Sequence, residues 1–124
     1  MDDSIRKIEI CRDQLLEAIR TSSVCRNYEE KAAALDQYPD RRARTDDFRR
    51  RSFESQGGLS EGDDMESRHR LFREKQELYA DPVIGDYLSG ELEMCRLLQN
   101  LCLSIISVTD FGVETLFGDE NAGE

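Results

Sequence analysis

The sequence predicts an all-α fold: a bundle of packed α-hairpins, about four to five helices, that associates with itself. Three observations lead there. Strand-type alternation is nearly absent, and only two prolines, Pro39 and Pro82, break the 124-residue chain. Charged residues reach 35% against 38% hydrophobic, a balance that suits an exposed helical protein. From Arg73 to Val108 the chain carries its longest apolar pattern. Ile84, Leu88, Cys95, Leu98, Cys102 and Ile105 fall at helical spacing, and Tyr87, Met94, Leu101 and Val108 make an adjoining stripe. A helix with two apolar stripes belongs at the centre of a bundle or between subunits.

The elements follow in order. Asp2, Asp3 and Ser4 offer capping oxygens for a first helix, whose apolar face is Ile5, Ile8, Leu15 and Ile19, with Cys11 and Ala18 at its edge. Thr21-Ser22-Ser23 interrupts or ends it. Whether the first two helical stretches form one bent helix is left open. Ser22 or Ser23 caps a second helix containing Tyr28, Ala32 and Leu35, which stops at Tyr38-Pro39. Asp40 is the expected cap of RRARTDDFRRRSFESQ, a helix poor in apolar residues. Ala43, Phe48 and Phe53 are its candidates for docking, with the two phenylalanines as anchors. Gly57-Gly58 ends it in the flexible loop GGLSEGDD. A helix from about Asp63 to Tyr79 offers Met65, Leu71 or Phe72, and Leu78. Ala80-Asp81-Pro82 turns the chain into the final helix, with Asp81 at the N-cap and Pro82 at the first helical position. That helix is expected to reach about Asp110. The domain is therefore drawn as residues 1–110, and residues 111–124 as an acidic, disordered tail.

Charge is uneven. The net is −10, but residues 41–58 carry six arginines against three acids, while residues 59–124 carry fifteen acids against five bases. Overall acidity argues against autonomous nucleic-acid binding, since phosphate needs a basic surface. The arginine block, with Arg41, Arg42, Arg49 and Arg50 at its centre, is the one candidate contact for RNA or an acidic partner. Its competing reading is a solvated helix face paired with Asp46, Asp47 and other nearby acids.

Residues for chemistry are few. His69, the single histidine, lies between Arg68 and Arg70 and reads as a surface residue. No nucleophile and base can be assembled around it, so a non-enzymatic protein is expected. Cys11, Cys25, Cys95 and Cys102 show neither a CxxC pair nor zinc spacing. Cys95 and Cys102 share a helical face and read mainly as small core hydrophobes. Their functional alternative is an iron–sulfur or metal site built across a dimer. Glu91 and Glu93 lack the histidines of a di-metal bundle, so no catalytic, cofactor or metal residue is assigned. Gly90, in mid-helix, is either a tolerated surface glycine or a point of close helix approach. No secretory signal follows the acidic Met1-Asp2-Asp3, and no stretch approaches the roughly 18–20 apolar residues of a membrane span. A cytoplasmic protein with reduced thiols is expected.

Two stretches carry a family resemblance. LLEAIRTSSVCRNYEEKAAALDQYPDRRARTDDFRRRSFESQ is similar to the early part of the YlbF/YmcA (YheA-like) family. ELYADPVIGDYLSGELEMCRLLQNLCLSIISV resembles its later region, with Asp81, Pro82, Ile84, Tyr87, Leu88, Glu91, Leu98 and Leu101 on the pattern. Together they span roughly residues 14–108. The resemblance implies orthogonally packed α-hairpins, self-association (usually as a dimer) and a regulatory role. Some members promote competence, sporulation and biofilm formation in a complex with one another that adjusts RNA processing by a membrane-bound ribonuclease. Some of those use C-terminal cysteines to hold an iron–sulfur cluster. Here no cysteine follows Val108, and ligation is not carried over to Cys95 or Cys102. The expected interface is Ile84, Tyr87, Leu88, Gly90, Met94, Leu98, Leu101 and Ile105.

Overall fold

Helix boundaries follow local chemistry closely. The computed structural model describes residues 2–56 and 65–109. Five α-helices lie there: α1 Asp3–Arg20, α2 Ser23–Asp36, α3 Pro39–Gln56, α4 Met65–Ala80 and α5 Pro82–Ile106. Asp2 caps α1 by accepting from the Ser4 amide at 3.0 Å. Ser22 caps α2 by accepting from the Cys25 amide at 3.1 Å, so the first two stretches are separate helices. Asp81 caps α5, with its Oδ1 accepting from the Val83 and Ile84 amides at 3.0 and 3.3 Å. Each such cap satisfies backbone donors that would otherwise lack partners. The start of α3 differs from expectation. Pro39 is already helical and Asp40 lies in the first turn, because proline needs no amide partner at the first helical position. The loop GGLSEGDD, the helix start at Asp63, the expected helix end at Asp110 and the tail 111–124 lie outside the described residues.

The chain divides into two compact units, Met1–Glu91 and Leu92–Glu124, and α5 belongs to both. The first unit holds a small core of Leu35, Phe48, Leu78, Ile84, Tyr87 and Leu88. Tyr28, Ala32, Leu71 and Val83 pack against it. So α2, α3, α4 and the first turns of α5 each contribute. Thr45 is also fully buried; its hydroxyl donates to the Arg41 carbonyl at 2.8 Å, which satisfies the polar atom. Of the two anchors expected on α3, only Phe48 docks; Phe53 is 72% exposed. The two lie five residues apart, which sets them about 140° apart around the helix.

Two glycines let backbones meet. A Cβ on Gly90 would lie 3.2 Å from Asn27 Nδ2 and 3.6 Å from Tyr28 Cα, so α5 approaches α2 closely there. A Cβ on Gly85 would lie 2.6 Å from the Tyr79 carbonyl oxygen, at the tight α4–α5 turn. Of the two readings for Gly90, close approach is the one observed.

Candidate partner interface

The arginines of α3 come first, because they were the candidate contact for a charged partner. Each faces a carboxylate of this chain. Arg41 Nε lies 3.3 Å from Asp81 and Arg42 Nε 3.3 Å from Asp46. Arg44 reaches Glu77 at 3.6 Å, and Arg51 reaches Glu74 at 2.6 Å. Arg50 pairs with Asp47 at 2.6 Å. Arg42 also approaches Asp36 of α2. The helix thereby ties itself to α2, α4 and α5 through charge, which offsets its lack of apolar residues. Individually such exposed pairs contribute about 0–1 kcal/mol each. Arg41, Arg42, Arg49 and Arg50 thus each face a carboxylate of the chain itself, with their side chains still partly exposed.

Arg49 takes part in a polar cluster around the buried Tyr87. Its Nη1 donates to Tyr87 Oη at 3.1 Å, and its Nη2 lies 2.5 Å from Glu91 Oε2. The Tyr87 hydroxyl donates to the same Glu91 oxygen at 3.2 Å. The Tyr87 ring packs against Tyr28, centroids 5.8 Å apart, and the Arg42 guanidinium sits 4.8 Å above it. Arg42 Nη1 is buried without a hydrogen-bond partner. The π-face beneath the guanidinium gives that charge an electrostatic contact. Burial first, then the neighbouring Tyr28 and Glu91, push the Tyr87 phenol up to about 12 from 10.0. Tyr87 and Glu91, four residues apart on α5, thus form with Arg49 a polar latch between α5 and α3. It ties the two helices together through side chains of both.

The expected interface residues on α5 divide into two groups. Ile84, Tyr87, Leu88 and Gly90 are buried within the chain's own first unit. Their assignment to a partner surface is corrected: the intrachain core already covers them. Met94, Leu98, Leu101 and Ile105 lie beyond Glu91, where no residue of α5 is buried. Leu98 is 41% and Ile105 59% exposed, and Leu92, Leu103 and Val108 are exposed as well. Between Leu92 and Val108 only Glu93 and Arg96 are charged. Leu98 and Ile105 occupy one side of the helix, while Leu92 and Leu103 occupy nearly the opposite one. A segment that is apolar on two sides has the composition of a buried helix.

The same mismatch appears on α1. Its pattern is cleanly amphipathic, yet none of its 18 residues is buried. Ile5, Ile8 and Leu16 are exposed, and Leu15 and Ile19 are only half-buried. The expectation that cysteines fill the core is also corrected. Cys11, Cys95 and Cys102 are exposed, and Cys25 is half-buried. Burial and nearby Glu29 push the Cys25 thiol up, away from thiolate. Among the described residues, no group of three or more His, Cys, Asp or Glu side chains comes together to hold a metal. His69 is exposed, as its arginine neighbours imply. Nor is any helix of the described residues long and apolar enough to cross a membrane.

Comparison with known families gives one result over most of the chain. The model described as "Control of competence regulator ComK, YlbF/YmcA" matches residues 12–107. No curated protein and no solved structure matches.

Proposed function

The chain belongs to the YlbF/YmcA family of competence control, and from that premise we propose that it is a non-enzymatic regulatory protein acting through helix-mediated contacts, first of all with a second copy of itself. One observation carries this reading. The amphipathic α1 and the apolar second half of α5 expose large aliphatic side chains while the intrachain core stays small. Covering such side chains stabilises by about 25 cal/mol per Å² of apolar surface removed from water. A helix apolar on two sides is served best by neighbours on both, as in a bundle shared between copies. The interface residues are then Met94, Leu98, Leu101 and Ile105 of α5, joined by Ile5, Ile8, Leu15 and Ile19 of α1. Other members of the family, or a complex that adjusts RNA processing, are the further partners the family resemblance supports.

The test is oligomeric state by light scattering, on the full chain and on Leu98→Asp and Ile8→Asp. Neither residue lies in the core, so both variants keep their helicity by circular dichroism. The parent protein is expected as a dimer or larger, and each variant as a monomer, because an unpaired carboxylate in an apolar contact costs several kcal/mol. A monomeric parent, or variants whose mass is unchanged, refutes the proposal.

A further inference from the structure

Cys95 and Cys102 lie seven residues apart on α5, close to two whole turns along one side of the helix. Both are exposed, as are Leu98 between them and Ile105 beyond them on the same apolar stripe. The stripe continues the line of Ile84 and Leu88, which the core of the first unit covers. The two thiols cannot bond to each other. Seven helical residues separate them by about 10.5 Å along the axis, and a disulfide joins Cα atoms no more than about 7 Å apart. A partner for either thiol has to come from another helix. Steps of three and four residues are those of a helix seam that meets its own copy. Two α5 helices packed along this stripe bring thiol to thiol in either direction. Run parallel, each cysteine faces its counterpart. Run antiparallel, with the crossing at Leu98 and Gln99 midway between them, Cys95 faces Cys102. Axes about 8–10 Å apart, with Cα atoms about 2.3 Å off each axis, leave facing Cα atoms roughly 3.5–5.5 Å apart. That range overlaps the roughly 4.4–6.8 Å found in disulfides.

We infer that Cys95 and Cys102 are a site of reversible oxidation, at which a disulfide between two copies locks their pairing through α5; this rests on the self-association proposed above and names its contact and its covalent control. A hydroperoxide is the oxidant. A thiolate of one copy attacks a peroxide oxygen and the O–O bond breaks. The sulfur becomes a sulfenic acid, and the leaving hydroxide takes up the thiol's proton as water. A thiol of the other copy then attacks that sulfur. The S–S bond forms as the S–O bond breaks, and a second water leaves with the proton of the attacking thiol. Two thiols are oxidised, and one hydrogen peroxide is reduced to two waters. The covalent link holds the second copy at a fixed effective concentration, so the pair no longer separates on dilution. Exchange with a reducing thiol releases it.

Non-reducing electrophoresis of the full chain, before and after hydrogen peroxide with a metal chelator present, tests it. A covalent dimer is expected, released by dithiothreitol. It should persist when Cys11→Ser and Cys25→Ser are combined, and be lost when Cys95→Ser and Cys102→Ser are combined. Leu98→Asp keeps every thiol but breaks the seam, and should slow the reaction about tenfold or more, because the thiols then meet only by free collision. Trypsin cuts after Arg96, between the two cysteines, so mass spectrometry of the digest identifies the linked peptides. Circular dichroism of the reduced proteins checks folding. If the chain lacking Cys95 and Cys102 does not fold, the linked peptides of the parent decide. Light scattering of the reduced parent separates the two ways of failing. A monomer overturns the self-association and this inference with it. A dimer that forms no disulfide, that links through Cys11 or Cys25, or that cross-links as fast with Leu98→Asp overturns this inference alone.

Discussion

Replacing glycine by alanine inside a helix ordinarily stabilises by about 1 kcal/mol, through helix propensity and a less flexible unfolded chain. In α5 the same change should have opposite outcomes at two positions five residues apart. At Gly85 the new methyl would sit 2.6 Å from the Tyr79 carbonyl oxygen and 3.3 Å from its carbon. Both obstacles are backbone, in a turn fixed by Asp81 capping, so relief requires displacing α4 from α5. Overpacking of that kind costs about 1–3 kcal/mol or more and outweighs the propensity gain. Gly85→Ala should therefore lose roughly 1–2 kcal/mol net. At Gly90 the nearest atom is Asn27 Nδ2 at 3.2 Å, the end of a side chain that can swing aside. Gly90→Ala should lie within about 0.5 kcal/mol of the parent, and should become stabilising when combined with Asn27→Ala. Urea unfolding followed by circular dichroism, at one protein concentration, reads the difference. With a slope near 2 kcal/mol per molar, the two midpoints should separate by roughly 0.5–1 M. A Gly85→Ala midpoint above that of the parent would refute the close α4–α5 approach.

Other outcomes follow from the core and the latch. Leu35→Ala empties a site with no exposure and should cost about 2–5 kcal/mol, whereas Phe53→Ala, at a side chain 72% exposed, should stay within about 0.5 kcal/mol; thermal unfolding distinguishes them. Tyr87→Phe removes the hydroxyl between Arg49 and Glu91 and should cost about 1–2 kcal/mol. The phenol's raised pKa also sets a pH window. Folding favours the neutral phenol, so its contribution is full below pH 10.0 and disappears as pH rises towards about 12. Stability of the parent should fall across that window, and Tyr87→Phe should flatten the fall; a parent and variant with identical alkaline profiles would contradict the assignment.

Much of the fold was legible because caps and prolines act through neighbouring residues. Asp2, Ser22 and the Asp81-Pro82 pair mark helix starts with chemistry that needs nothing distant. The pairing of Asp47 with Arg50 and Arg51 was legible for the same reason, since helical spacing alone brings them together. Which faces are covered was not. Periodicity says that Ile84 and Ile105 both prefer shelter, but it does not say that the first finds it within the chain and the second does not. The cysteines were misread on those grounds, because an apolar stripe was taken to be a covered one. Phe48 and Phe53 differ only in the direction each side chain leaves α3. Gly85 went unnoticed, since its constraint comes from the carbonyl of Tyr79 across a turn.

The arginines that anchor α3 have a consequence for proteolysis. They are six trypsin sites within eleven residues, on a helix whose attachment relies on carboxylates. A protease cuts such a helix only when it opens locally. Added salt screens these pairs and should ease that opening at neutral pH, where trypsin is active. Cleavage between Arg41 and Arg51 would then serve as a clock for how often this electrostatically held segment lets go.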